Sequence, residues 1–151
     1  MLESLRENLL TDLHTPDLRV IIISGKTFSQ SRERCVHKHT LTLSLSAARG
    51  PVFSSGHDLG ELTSARGRKH HIKVFQTCSE VMTLIQDLPV PVIAMVNGVA
   101  TAAGCQLVAS CDIAVPTDKS TFATPGMSVG LFCSTPAVSI GRALPRKVMI
   151  S

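Results

Sequence analysis

Apolar residues recur at helical spacing in two long stretches of the chain. Leucines at positions 2, 5, 9 and 13 predict an amphipathic helix over Met1 to Leu13. A second stripe predicts a longer helix that ends before Pro89, with a buried face formed by Ile72, Phe75, Cys78, Met82 and Ile85. Two further helices are predicted over residues 102–109 and from Ser134 to the residue before Pro145.

Three short apolar runs between these helices have the character of strands. They are residues 18–23, residues 92–96 and residues 113–115, and they are rich in Val and Ile. Because the first two are apolar at nearly every position, both of their faces should be buried, as in a parallel sheet. The alternation of strands and helices predicts an α/β fold.

Residues 25–47 do not fit this alternation. Residues 40–46 alternate strictly between polar and apolar, which would suit a one-sided edge strand, but the connection is long and mostly irregular. Residues 25–49 hold five Lys or Arg against one acidic residue, so the whole formal excess of +4 lies there. Lacking interleaved aromatic residues, this segment is expected to be disordered rather than to bind nucleic acid.

Composition narrows the protein class further. Aromatic residues make up 3% of the chain, with no Trp or Tyr, so aliphatic side chains must fill the core. Five cysteines form an odd set without a C-x-x-C motif, and no secretory apolar segment opens the chain, so we expect an intracellular, reduced protein. No apolar run reaches the roughly 18 residues of a membrane-spanning helix.

Two segments could carry chemistry through their backbone. Residues 54–58 and 97–104 each follow an apolar strand, contain a glycine and lead into a helix. If the two turns face each other, one N–H from each could bind an oxygen that gains negative charge, forming an oxyanion hole. His57 and Asp58 could form a dyad, but capping by Asp58 is the stronger interpretation. Cys35, His37 and His39 lack a second ligand pair, so no metal is expected.

Five blocks of the sequence resemble the crotonase family, that is, the enoyl-CoA hydratases and isomerases. In order and spacing these blocks are Phe53–Leu59, Pro91–Gly98, Ala103–Leu107, Cys111–Ala114 and Phe122–Pro125. The resemblance implies a superhelix of repeated β-β-α units that binds acyl-CoA. It also implies that the main-chain N–H groups of His57 and Ala103 polarise the thioester carbonyl, while Ser54, Ser55 and Gly56 border the CoA.

The acid/base positions depart from the family pattern. Gln106 and Gly126 stand where hydratases of the family carry glutamates. An amide cannot accept a proton at neutral pH and glycine has no side chain, so ordinary hydration is not expected. The resemblance therefore implies an acyl-CoA-binding pseudoenzyme of fatty-acid metabolism, with acyl-CoA as ligand and no other cofactor. Whether it is an enzyme stays open, and the alternatives are a non-catalytic scaffold or a truncated isoform without a stable fold.

The resemblance covers residues 1–23 and 48–148. We therefore expect one partial domain made of residues 1–24 and 48–151, interrupted by an insertion at residues 25–47. From the resemblance, we expect the chain to lack the family's first hairpin before residue 1 and its C-terminal helices after Ser151. Without those helices a family-type homo-oligomer is not expected. By resemblance the protein would be mitochondrial, although the chain shows no presequence.

Overall fold

A computed structural model describes residues 2–11, 13, 16–25, 35–37, 40–45 and 52–145 of the chain. Within them, the predicted helices are confirmed with small shifts at their ends: α1 (Leu2–Thr11), α2 (Gly67–Asp87), α3 (Ala103–Ser110) and α4 (Ser134–Ala143). Short 3-10 turns occupy Leu59–Leu62, Ser64–Arg66 and Pro125–Val129. No described helix is long and apolar enough to cross a membrane.

The strands of the described residues form two sheets. In chain order they are β1 (Val20–Gly25), β2 (Cys35–His37), β3 (Thr40–Leu45), β4 (Val52–Ser54), β5 (Val92–Val96), β6 (Val99–Thr101), β7 (Ile113–Pro116) and β8 (Thr121–Ala123). The larger sheet has the order β2-β3-β1-β5-β7, and the smaller one has the order β4-β6-β8. All pairs are parallel except β2 with β3. The predicted parallel sheet is therefore confirmed.

The two sheets are joined by a repeated unit. Strands β5 and β6 precede α3, strands β7 and β8 precede α4, and in each pair the first strand lies in the larger sheet and the second in the smaller one. Strands β1 and β4 precede α2 in the same way, with β2 and β3 between them. This is the β-β-α repeat that the resemblance implied. The strands β4, β6 and β8 are three residues each, and the apolar pattern did not reveal them.

Part of the segment 25–47 is ordered into strands, contrary to our expectation of disorder. The alternating run Thr40–Leu45 pairs in parallel with β1 on one side and antiparallel with β2 on the other. Because it has partners on both sides, it is an inner strand, and the prediction of an edge strand is wrong. Residues 26–34, 38–39 and 46–47 lie outside the described part. The insertion and the domain division stay predictions.

The hydrophobic core joins helices α1, α2 and α3 to strands of both sheets. Its fully buried aliphatic side chains come from α1, β1, α2 and β5: Leu9, Ile21, Ile23, Val81, Ile85, Val92 and Val96. The predicted stripe of α2 is confirmed at Cys78, Met82 and Ile85. It is wrong toward the start of the helix, where Ile72 and Phe75 are 44% and 49% exposed. The core contacts therefore cover only the second half of that face.

The strands β7 and β8 are exposed at every residue. They are the last strands of the larger and the smaller sheet, so both sheets present an unpaired edge on this side. Large apolar side chains on the two strands, Ile113, Val115 and Phe122, are each about half exposed, at 49%, 51% and 46%. An apolar surface of this kind marks an interaction site or an aggregation liability.

A glycine brings α3 against β4. A Cβ atom built on Gly104 would overlap the carbonyl oxygen of Ser54 and lie 2.7 Å from the Ser54 Cβ. Such a separation is far inside van der Waals contact and the obstacle is backbone, which cannot rotate away. Only a residue without a side chain allows the first turn of α3 to rest on the end of β4.

Gly104→Ala should therefore destabilise the fold by about 3 kcal/mol, the upper end of the cost of overpacking. The matched control is Gly60→Ala, where the added Cβ would meet only the Asp58 carboxylate oxygen, at 3.1 Å. That carboxylate lies on an exposed turn and can shift, so this change should cost less than about 0.5 kcal/mol. Equilibrium denaturation of both variants measures the difference. Equal stability of the two would contradict the close contact.

Candidate functional site

The two glycine-containing turns lie against each other, as the sequence required for a shared site. Gly56 follows β4 and has a φ of 91°, and an ideal Cβ on it would lie 3.1 Å from the Ala102 Cβ and 3.2 Å from the Ala103 nitrogen. Any side chain at position 56 would be forced against the second turn. The structure thus brings Gly56 and Ala103 together, with His57 next in the chain.

The main-chain N–H groups of His57 and Ala103 have no backbone acceptor among the described residues. Ala103 is the first residue of α3, so its N–H precedes the regular helical hydrogen bonds. His57 lies in the bend between β4 and the turn at Leu59–Leu62. Both groups can therefore donate to a ligand atom.

Ala102 holds the start of α3 in an unusual backbone conformation. Its φ of 51° makes it the one non-glycine residue of the described chain with a positive φ. The Ala102 N–H donates to the Ala123 carbonyl at 3.0 Å, and the Ala102 carbonyl accepts from the Gln106 N–H at 3.1 Å. These bonds tie the turn to β8 and to α3. Strained residues held in this way are concentrated at functional sites.

A small cleft with a cavity volume of about 20 Å³ opens beside the two turns. At one end it is lined by Ser54, Gly56, His57 and Ala103, and at the other by the apolar side chains of Leu2, Leu5, Met82 and Leu107. The apolar residues come from α1, α2 and α3. Sequence reasoning missed them as site residues, because their spacing marks a buried helix face whether or not that face borders a cleft.

The serines before the turn differ in exposure. Ser54 ends β4 and is 7% exposed, and its hydroxyl oxygen accepts a weak hydrogen bond from the Gly56 N–H at 3.4 Å. Ser55 is exposed and does not line the cleft. Of the three residues expected to border a CoA, Ser54 and Gly56 reach the cleft and Ser55 faces solvent beside it.

Gln106 and Gly126 occupy very different surroundings. Gln106 lies one turn after Ala103 on α3 and is 6% exposed, and its amide oxygen has no hydrogen-bond partner in the described structure. An orphaned buried acceptor of this kind needs a water or a ligand donor. At Gly126, an added Cβ would lie 2.7 Å from the Cys133 Sγ and 2.8 Å from the Leu131 carbonyl oxygen. Position 126 therefore has no room for a side chain in this arrangement.

The His57 side chain is half-buried against Phe75. Their ring centroids are 5.4 Å apart with an edge-to-face angle of 70°. Loss of solvent lowers the pKa of His57 below 6.5, and the opposing attraction of Glu61 is the smaller effect. Asp58 does not pair with this imidazole, since its carboxylate accepts from the Gly60 N–H at 2.8 Å and caps the following turn. The capping interpretation of Asp58 is confirmed.

Two cysteines on or next to α3, Cys105 and Cys111, have raised pKa values. Burial, together with the negative charge of Asp112, raises the pKa of the Cys111 thiol to about 12. Burial also raises the pKa of Cys105. Thiols with raised pKa values are poor nucleophiles at neutral pH. The described residues contain no group of three or more His, Cys, Asp or Glu that could hold a metal ion. The side chains of Cys35, His37 and His39, for which no metal was expected, lie outside the described part of the chain.

Comparison with protein families identifies one matching family. Residues 33–149 match the family described as enoyl-CoA hydratase/isomerase. A Danio rerio protein named enoyl-CoA hydratase domain-containing protein 3, mitochondrial, is 64% identical over 148 residues, which is 98% of this chain and 43% of that protein. The chain thus spans less than half the length of such relatives.

Solved structures agree with the sequence comparison. The crystal structure of human enoyl-CoA hydratase domain-containing protein 3 has a TM-score of 0.78 at 58% identity, over 99% of this chain and 50% of that one. An enoyl-CoA hydratase from Mycobacterium smegmatis has a TM-score of 0.76 at 39% identity, over 99% and 49%. The expected crotonase-like α/β fold is confirmed.

The lowered pKa of His57 should be measurable by NMR titration of its imidazole resonances, with a midpoint below 6.5. Because the folded state disfavours the charged imidazole, the contribution of His57 to the free energy of unfolding is fully present above its unfolded pKa. This contribution is lost as the pH falls from 6.5 through the folded pKa. Phe75→Ala should return the midpoint toward 6.5 by exposing the ring, whereas Gln76→Ala on the exposed face of α2 should not. A midpoint at or above 6.5 in the unaltered chain would contradict desolvation.

Proposed function

Because the chain belongs to the enoyl-CoA hydratase/isomerase family, we propose that it binds acyl-CoA thioesters and holds the thioester carbonyl with the N–H groups of His57 and Ala103. The observation that carries this proposal is the contact of the two turns at Gly56 and Ala103. It supports convergence of two free donors on one oxygen, which is the geometry that stabilises an enolate-like thioester. Ser54 and Gly56 would lie along the CoA, with Ser55 beside them.

We further propose that the chain lacks ordinary hydratase activity. Hydration of a double bond needs a group that removes a proton from water and one that returns it. Gln106 can hold a water molecule through its unpartnered amide oxygen but cannot take its proton. Gly126 has no side chain, and its packing against Cys133 and Leu131 leaves no room for an acidic one. The result would be a pseudoenzyme of fatty-acid metabolism.

The proposed location is the mitochondrion. It rests on the word mitochondrial in the names of the relatives from Danio rerio and from Homo sapiens, the second of which is 58% identical over 99% of this chain. The proposed ligand is consistent with that location, because acyl-CoA thioesters are intermediates of fatty-acid oxidation.

A second candidate function is that of a non-catalytic interaction protein. It is favoured by the exposed apolar side chains of β7 and β8 at the open edges of both sheets. An interaction protein of this kind would need those strands but would not need free N–H groups at His57 and Ala103. Binding of acyl-CoA therefore separates the two candidates.

The donor role of Ala103 can be tested by replacing its peptide N–H with an ester oxygen, through incorporation of lactate in place of Ala103. Loss of one hydrogen bond should weaken butanoyl-CoA binding by about 1 kcal/mol, or roughly fivefold, in isothermal titration. The control places the same ester at Ala65, in the exposed turn Ser64–Arg66. If the two esters bind butanoyl-CoA equally, the proposed donor is wrong.

Gln106→Glu should introduce a weak hydratase activity, since a carboxylate can accept the proton of the water that the amide only holds. One general base should accelerate hydration of crotonyl-CoA by about a hundredfold over the unaltered chain. Gln106→Leu, of similar size but without an acceptor, should remain inactive. The loss of crotonyl-CoA absorbance reports the rate. Substantial hydration by the unaltered chain would overturn the assignment as a pseudoenzyme.

A further inference from the structure

The third β-β-α unit, made of β7, β8 and α4, carries most of the exposed large apolar side chains of the described chain. Eight of the thirteen lie in residues 113–144 and are between 43% and 79% exposed. These eight side chains, which we call the third-unit surface, are Ile113, Val115, Phe122, Met127, Leu131, Phe132, Val138 and Leu144. None of them lines the cleft, so this surface is separate from the acyl-CoA function proposed above.

Strand β7 also leaves main-chain groups unpaired at this surface. It is the last strand of the larger sheet, and among the described strands it pairs only with β5. The N–H of Asp112 donates to the Val92 carbonyl at 3.0 Å, toward β5. Because successive residues of a strand alternate in direction, the N–H and C=O groups of Ile113 and Val115 point to the open edge. Such an edge is a template for pairing with another strand.

The apolar area of the third-unit surface is large enough for a stable interface. A large apolar side chain that is half exposed offers about 100 Å², so the whole set offers on the order of 800 Å². A standard protein interface buries about 800 Å² on each partner. Soluble monomers rarely expose an apolar surface of that size. We therefore expect a partner to cover it.

The distribution of charge favours a second copy of this chain as that partner. Residues 112–144 hold two acidic and two basic side chains, Asp112, Asp118, Lys119 and Arg142, so this part of the chain does not repel its own copy. The basic excess of the chain lies in residues 25–49, and the described strands of that segment, β2 and β3, lie at the opposite side of the larger sheet. Two copies that meet through β7 therefore keep their basic segments far apart.

We propose that two copies of this chain form a twofold dimer in which β7 of one copy pairs antiparallel with β7 of the other, burying both third-unit surfaces. A twofold axis through Ala114 sets Ile113 of each copy opposite Val115 of the other, so that the outward main-chain groups of these residues are bonded. Pro116 has no N–H and ends the pairing. The two larger sheets then form one continuous sheet, and the interaction protein considered above as a second candidate gains a defined partner.

Sedimentation equilibrium of the full chain over a series of concentrations should give twice the mass of one chain. Ile113→Lys should weaken the dimer by roughly a hundredfold, because the twofold axis applies the loss of apolar burial twice and introduces two like charges. The matched control is Ile72→Lys on α2, since Ile72 is 44% exposed against 49% for Ile113. It should leave the dissociation constant unchanged. A monomer at every concentration, or an open-ended series of larger assemblies, would overturn the proposal.

Two further variants keep the test independent of the folding of Ile113→Lys. Phe132→Lys changes a side chain that is 76% exposed and lies outside the strands, and it should also weaken the dimer. Ala114→Cys tests the strand pairing, because two thiols across the axis would have Cα atoms about 4.5 Å apart and should form a disulfide under mild oxidation. Ala65→Cys, in an exposed turn, should stay unlinked. A dimer that persists in both lysine variants, or that Ala114→Cys does not cross-link, does not use this surface.

Discussion

The contact of α3 with β4 is the constraint on which the site depends. Gly104 lets the first turn of α3 rest on the backbone of Ser54, and Gly56 lets the turn after β4 approach Ala103. Each glycine removes a Cβ that would otherwise separate two segments of main chain. The free N–H groups of His57 and Ala103 then lie in turns that touch, although the two residues are 46 positions apart along the chain.

Ala102 carries the backbone strain of this arrangement, and hydrogen bonds to two neighbouring elements hold it in place. Ala102 keeps a positive φ because its N–H is bound to Ala123 of β8 and its carbonyl to the N–H of Gln106. The smaller sheet thus fixes the turn through β8, and α3 fixes it from the other side. A rigid turn is what electrostatic stabilisation requires, since donors that must first reorient lose part of their effect.

The helices could be predicted from the sequence, because long periodic stretches report a buried face directly. Periodicity did not show how far along α2 that face is covered. Ile72 and Phe75 belong to the periodic stripe, yet they are exposed because the start of the helix lies beyond the core. The smaller sheet could not be derived from the apolar pattern, because a strand of three residues is shorter than two periods of alternation. Only the resemblance to a family implied those strands.

Part of the candidate site could likewise be predicted from the sequence, and part of it could not. The turn at Gly56 and the first turn of α3 at Gly104 were visible as glycines close to a strand-to-helix junction, since such positions need close backbone approach. The apolar end of the cleft was not visible, because Leu2, Leu5 and Met82 lie on two helices far apart in sequence and meet only through tertiary packing. The segment at residues 40–45 was misjudged for a related reason: its alternation indicated a strand but could not show that both of its edges would be paired.

A site built from main-chain donors constrains its side chains by size and not by chemistry. Positions 106 and 126, where the family resemblance implies acid/base glutamates, differ in how much room they leave. Gln106 already fills a buried position next to α3's first turn, so a carboxylate of the same shape could replace it without moving backbone. Gly126 is enclosed by Cys133 and Leu131, so a side chain there would require the loop between Pro125 and Ser134 to repack. Of the two carboxylates, the one at position 126 would therefore be the harder to restore, because its absence is built into the packing of the chain.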